Sequence, residues 1–330
     1  MKLGRRQFLH LGVGAAALMP VSRIAGAQTY PTRPVTLVVP FPAGGVLDTV
    51  GRIVAENMRA ALGQHVIIEN VGGANGSIGV GRVARAAPDG YTIGIGIRDT
   101  HVINGAIYAL SYDVRTDFEP VVLLSRSRGS LILAKKAMLA NDLKALVAWL
   151  KANPDKASQG HPGVGSTPHI MGIHFQKLTG TRYQFVPYRG AAAALQDLVA
   201  GQVDLMFTRA EIALPHVRAG TVKAYAVMDK GRLASAPDIP TVDEAGLPGL
   251  YETQWYGLFA PRGTPRTVIA RLNAAAVEAL AAPVVRQRLA DTENEIAPRE
   301  EQTSEALGVL QKSDIDKWWP IIKAAGIRAD

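Results

Sequence analysis

Residues 40 to 48 read Pro40-Phe41-Pro42-Ala43-Gly44-Gly45-Val46-Leu47-Asp48 and lie between an apolar run, Val35 to Val39, and an amphipathic run that begins near Thr49. This is the pattern of a strand, a tight turn and a helix start. Adjacent glycines let the backbone turn with positive φ and approach a bound group closely, because neither carries a Cβ. The first amides of the helix have no intrahelical acceptor, so they point into the turn and favour negative charge there. The outline is that of a small anion site. A strand-to-helix turn that binds nothing has the same outline, and Asp48 cuts both ways. Its carboxylate suits a helix start, yet it repels an anion unless it faces away or meets a cationic part of the ligand.

Working outward, Val50, Ile53, Val54, Met58, Ala61 and Leu62 recur at helical spacing and Gly63 follows as a stop. His65 to Glu69 predicts a strand, Gly72 to Ser77 a turn that caps the next helix through Ser77, Ile78 to Ala87 a helix and Tyr91 to Ile97 a strand. Strand and helix in turn with short links predict βαβ units and a mainly parallel sheet. Asp113 to Arg128 reads as a link to a second series with strands over Gly129 to Ala134, Ser158 to Gly160, Arg182 to Tyr188, Gln202 to Phe207 and Val222 to Val227, and helices between them. A proline- and glycine-rich return from Asp229 to Gly249 leads to a strand over Gln254 to Ala260 and helices over Pro265 to Ala281 and Thr303 to Ala325. The expected organisation is an export signal over 1–27, the first part of lobe 1 over 28–127, lobe 2 over 128–227, and over 228–330 the completion of lobe 1 with a C-terminal helix. Two α/β lobes joined by more than one crossing make a cleft with a hinge. Ligands gather at the carboxyl ends of strands in such sheets, which draws attention to Phe41 to Asp48, Val71 to Ser77, Arg98 to His101 and the second-lobe turns.

Composition narrows the function classes. At 330 residues, 48% apolar and 19% charged, the chain has the make-up of a folded protein of two ordinary domains. It has no cysteine, which excludes a disulfide framework, a thiolate metal site and a cysteine nucleophile. Lys2, Arg5 and Arg6 precede an apolar run from Leu9 to Met19, and Ala25-Gly26-Ala27 offers small residues for cleavage, so the start reads as an export signal to the periplasm. Arg5-Arg6-Gln7-Phe8-Leu9 further resembles a twin-arginine signal. Removing residues 1–27 takes away Lys2, Arg5, Arg6 and Arg23 and no acid, so the net charge falls from +8 to +4. Without a run of like charges, nucleic-acid binding has no support.

Motifs for catalysis and cofactors fail on spacing. Gly72 to Ser77 lacks the lysine of a P-loop, and Gly76 to Gly81 does not match a dinucleotide fingerprint, so no cofactor is expected. Gly163-Val164-Gly165-Ser166-Thr167-Pro168-His169 places a serine near a histidine without the Gly-x-Ser-x-Gly elbow of a hydrolase, and Ser166 reads as a helix cap able to offer its hydroxyl to a ligand. No metal is expected, because His169 and His174 are five residues apart on a predicted helix. Arginines do stand at turns that should converge: Arg98 in the first lobe, Arg189 and Arg209 in the second. Arginine grips carboxylates through a planar fork, with charged hydrogen bonds of roughly 1.5–3 kcal/mol each.

Together, Tyr30-Pro31-x-Arg33-Pro34-Val35, Val39-Pro40-Phe41-Pro42-Ala43-Gly44-Gly45-x-x-Asp48, Leu62-Gly63-Gln64, Glu69-Asn70, Pro88-Asp89-Gly90-Tyr91-Thr92, Asp117-Phe118, Gly165-Ser166-x-x-His169, Val186-Pro187-Tyr188-Arg189-Gly190, Gly201-Gln202-Val203-Asp204 and Pro240-Thr241 resemble the extracytoplasmic receptors of tripartite tricarboxylate transporters, the Bordetella uptake gene (Bug) family. The resemblance implies an α/β, type II-like periplasmic binding protein of two lobes, not an enzyme, that captures a small carboxylate in the interlobe cleft and delivers it to a two-component membrane permease. It also implies main-chain amides at Phe41, Pro42, Ala43, Gly44 and Gly45 around one carboxylate, with closure by Gly165, Ser166, Tyr188, Arg189 and Gly190. Asp48, Arg98, Thr100, Thr167, Thr208 and Arg209 complete the expected ligand-binding set, in a receptor expected to act as a monomer. Position 208 is threonine where many relatives carry an acid, which disfavours an amino-acid ligand, and Arg98 is expected to meet a second carboxylate, favouring a dicarboxylate or an aromatic acid. The competing classes are a ligand-sensing partner of a signalling protein and a periplasmic hydrolase using Ser166 and His169.

Overall fold

The computed structural model describes residues 30–127, 129–292 and 294–328; the export signal expected over 1–27 lies outside the described residues. Two mixed sheets organise the chain. The first contains β1 (Val35–Val39), β2 (Val66–Asn70), β3 (Thr92–Ile97), β4 (Phe118–Ser127), β10 (Gln254–Pro261) and β11 (Asn294–Ile296), in the spatial order β11-β4-β10-β3-β1-β2. The second contains β5 (Ser130–Lys135), β6 (Ser158–His161), β7 (Gln184–Pro187), β8 (Leu205–Arg209) and β9 (Val222–Val227), in the order β7-β6-β8-β5-β9. The helices are α1 (Val46–Leu62), α2 (Ser77–Ala84), α3 (Asn104–Ile107), α4 (Leu143–Ala152), α5 (Thr167–Thr179), α6 (Ala191–Val199), α7 (Ala210–Arg218), α8 (Arg266–Ala281), α9 (Pro283–Ala290) and α10 (Ser304–Ala324).

The expectation of mainly parallel sheets is corrected. β1 runs parallel to β2 and β3, and β6 parallel to β7 and β8, but β10 is antiparallel to both β3 and β4, and β5 is antiparallel to both β8 and β9. The reason is connectivity. β5 and β10 are the strands by which the chain enters each sheet from the other one, so they run away from the crossing while the parallel strands run toward it. Asp113 to Arg128 also proves to be more than a link, since most of it forms β4. Pro120 lies in that strand beside a register irregularity of the β10 pairing, where a missing amide donor is tolerated.

Local chemistry explains the helices. In α1 the face made by Leu47, Val50, Ile53, Val54, Met58 and Leu62 is buried, each large side chain contributing about 1.5–3 kcal/mol, and Gly63 closes the helix with its amide on the Arg59 carbonyl. Asp142 caps α4 by accepting from the Ala145 amide at 2.7 Å, and Thr303 caps α10 by accepting from Ala306 at 3.0 Å. Ser77 does not cap α2 as expected; its hydroxyl accepts from Asn104 Nδ2 at 3.1 Å instead. One apolar cluster packs α1, α8 and α9 on the first sheet. Another runs without a break from Val38 and Phe259 of the first sheet, through Val102, Ile107 and Trp318, to Phe175 and Phe207 on and behind the second.

Candidate ligand site between the lobes

β1 and β3 are neighbours, so the turn after β1 lies beside the turn after β3, a single π-helical turn over Asp99–Ile103 that runs into α3. Such turns are often found at functional sites. The two are packed together: a side chain on Gly76 would collide with Thr100 and press on the Phe41 ring, so the Gly72–Ser77 loop is wedged between them. Pro42, Ala43, Gly44 and Gly45 are exposed, and Gly44 takes φ +85°, a conformation that suits glycine.

Asp48 resolves the ambiguity in its reading by facing inward. Its Oδ2 accepts from the Gly44 amide and from Arg52 Nε, each at 2.9 Å, and its Oδ1 accepts from Asn70 Nδ2 at 2.9 Å. Asn70 also donates to the Phe41 carbonyl at 3.0 Å and accepts from Arg52 at 3.1 Å. Burial works to raise the Asp48 carboxyl, but the bonds from Arg52, Gly44 and Asn70 outweigh it and hold the pKa below its ordinary value. Asp48 is therefore the brace of the turn, and its expected contact with the ligand is withdrawn. One amide of the cradle, that of Gly44, is taken by this brace; those of Ala43 and Gly45 make no backbone hydrogen bond to another described residue.

Arg98 is also corrected. It is 4% exposed, and its guanidinium donates to Glu252 Oε1 at 2.6 Å and to the Thr253 carbonyl at 2.8 Å, on the segment that returns from the second sheet to the first. Ser130, where the other crossing enters β5, donates to the other oxygen of Glu252. The arginine ties the end of β3 to the return segment, Glu252 joins that segment to Ser130 of the other crossing, and the guanidinium is committed to these hinge partners. Thr100 is fully buried, bonded to Ile97 and His101, and closes the end of β3.

From the second lobe, α5 brings its N-terminus against the first. Thr167 Oγ1 donates to Asp99 Oδ1, which also accepts from Gln254 Nε2 at 3.3 Å. Gly165, at φ +78°, approaches Ile107 so closely that a Cβ would lie 2.6 Å from its side chain. Arg209 at the end of β8 donates to the Tyr256 hydroxyl and lies 3.9 Å from Glu211. Burial acts against its charge, and Tyr256, Glu211, Glu252 and Asp99 more than compensate, raising its pKa above the ordinary value.

The other second-lobe expectations divide. Ser166 donates its hydroxyl to the Gly163 carbonyl at 2.7 Å and makes no capping bond, while His169 Nδ1 accepts from the Gly165 amide at 3.1 Å. Neither group is aimed at the other as a nucleophile and base would be. His169 stacks on His161 with ring centres 4.4 Å apart, and burial, reinforced by His161, lowers its pKa to about 4. Tyr188 donates its hydroxyl to Asp197 at 2.7 Å; burial first, then that acid, push its pKa up to about 12, so the hydroxyl serves α6 rather than the cleft. Thr208 is buried in β8, whereas Arg189 is exposed and Gly190 half-buried in the turn ahead of α6. No group of three or more metal-ligating side chains occurs among the described residues.

Asp99, Gln254 and Tyr256 are the contacts that sequence reasoning missed. Asp99 lay in a turn already marked for scrutiny, but nothing in the spacing paired it with Thr167, 68 positions away.

Comparison with known proteins adds to this geometry. The model of the tripartite tricarboxylate transporter family receptor matches residues 50–327. The structure of the periplasmic binding protein BugD is 37% identical over 91% of this chain and all of that one, with a TM-score of 0.78. MatC from Rhodopseudomonas palustris, solved with bound malate, is 39% identical over 89% of this chain and all of its own, with a TM-score of 0.78. A second R. palustris protein, Rpa4515, solved with adipate, is 31% identical over 91% of this chain and all of its own, with a TM-score of 0.80. With its two-lobed α/β fold and a family match over most of its length, this chain belongs to the tripartite tricarboxylate transporter receptor family of periplasmic solute-binding proteins.

Proposed function

We propose that this receptor captures a small carboxylate between its lobes and hands it to a two-component membrane permease, after export directed by residues 1–27. The observation that carries the reading is the turn after β1. Its exposed residues Ala43 to Gly45 lead straight into α1, whose first amides have no intrahelical acceptor, and the one acid of the turn is held out of the way by Arg52 and Asn70. Structural neighbours solved with malate and adipate support carboxylate as the ligand class. With Arg98 held at the hinge, no second carboxylate contact is assigned to it.

A thermal-shift panel of mono- and dicarboxylates on the mature chain, followed by calorimetry, tests this. A ligand at 100 times its Kd stabilises the fold by about 2.7 kcal/mol. A panel in which no carboxylate raises the melting temperature, while a neutral or cationic solute does, overturns the proposal.

A further inference from the structure

Asp99 stands at the meeting of the lobes, and its hydrogen bonds among the described residues come only from neutral groups. Oδ1 accepts from Thr167 of the second lobe and from Gln254 of the return segment, and Oδ2 accepts from no described residue. The charged neighbours are otherwise engaged: Arg98 with Glu252, Arg209 with Tyr256 and Glu211. No lysine or arginine among the described residues lies within ion-pair distance of Asp99, although its charge is felt by Arg209 and by Tyr108, whose pKa is raised by burial first and Asp99 second. The residue is half-buried, one strand across from the turn that would hold the ligand carboxylate.

An ionised carboxylate only accepts hydrogen bonds. Beside an anionic ligand it repels further negative charge, and in a closed site that repulsion is little screened. It is matched by a donor. We infer that Asp99 selects ligands that carry a hydroxyl or ammonium group in addition to their carboxylate, so that this receptor takes a hydroxy or amino acid ahead of an unsubstituted dicarboxylate. The inference rests on the carboxylate reading above and reverses one expectation from the sequence, in which Thr208 argued against an amino-acid ligand: the acid that an ammonium needs stands at 99 instead.

The test uses succinate, malate and aspartate, which share a carbon skeleton and differ at one position by hydrogen, hydroxyl or ammonium. Titration calorimetry on the mature chain should show malate or aspartate binding at least about tenfold more tightly than succinate, the worth of one charge-assisted hydrogen bond; which of the two leads says whether hydroxyl or ammonium is the natural donor. Asp99→Asn should shrink that ratio and improve succinate binding. Thr167→Val, which removes the cross-lobe donor but keeps the acid, should weaken all three alike and leave the ratio in place. Equal binding of the three by the native chain overturns the inference and leaves the carboxylate reading standing, as does a ratio that survives Asp99→Asn or collapses equally in Thr167→Val. Absence of binding by these and every other carboxylate tried removes both readings together.

Discussion

Replacing Arg98 by alanine should destabilise the fold rather than remove a ligand contact. The substitution deletes the donors at 2.6 Å and 2.8 Å to Glu252 and to the Thr253 carbonyl, and it leaves Glu252, 3% exposed, with Ser130 as its remaining side-chain donor. Breaking a buried pair by removing one partner costs about 3–5 kcal/mol, chiefly because the other charge stays buried and uncompensated. Against a total stability of about 5–15 kcal/mol that is a large fraction. Neutralising both members has a different effect. In Arg98→Met with Glu252→Gln no orphan charge remains, and most of the loss should be recovered. Urea unfolding followed by tryptophan fluorescence measures both variants, with Trp318 as a nearby reporter whose ring lies 5.5 Å from the Arg98 guanidinium. A loss under about 1 kcal/mol for Arg98→Ala, or a double variant no more stable than the single, would refute the account of Arg98 as a hinge tie.

Two further outcomes follow from the packing. His101 is buried against Phe259, with its pKa lowered to about 3 by burial, and His169 is lowered to about 4 by burial and then by His161. Both lie below the unfolded value of 6.5, so both rings are neutral in the fold and take up a proton on unfolding; stability should fall as pH drops from 6.5 toward 4, by up to about 1.4 kcal/mol per pH unit for each ring. Urea midpoints between pH 6.5 and 5 should show that slope, and His101→Gln should flatten it; an unchanged slope would count against the assignment. Gly165→Val places a side chain where Ile107 already sits, at a positive φ that valine resists, so the lobes should be held apart. Small-angle scattering should report a larger radius of gyration and calorimetry a weaker ligand, and native values for both would show that Gly165 is not at the closing surface.

Much of the fold was legible because burial imposes a period. The α1 face and the strand over Val222–Val227 follow from apolar spacing alone. β4 was obscured by Pro120, and the short β11 carries too few residues to show an alternation. Strand direction was misread because local pattern says nothing of which end of a sheet the chain enters. The site was legible as a set of turns, not as side-chain roles. The braced turn at Gly44 could be outlined from its glycines and helix start, whereas the inward positions of Arg98, Thr100 and Tyr188 depend on partners distant in sequence or on rotamers that a one-dimensional reading cannot supply. Asp99 shows the same limit from the other side, since its importance comes wholly from Thr167 and Gln254.

The place of β10 in the first sheet has a consequence for how the molecule comes into being. It is inserted between β3 and β4, so those two strands, made early, have no common neighbour until the ribosome has passed Pro261. The second sheet, drawn from one unbroken span between Ser130 and Val227, has all its strands well before that. The lobe synthesised first is thus finished last, and a nascent chain halted ahead of Gln254 would present one completed sheet and one still split down its middle.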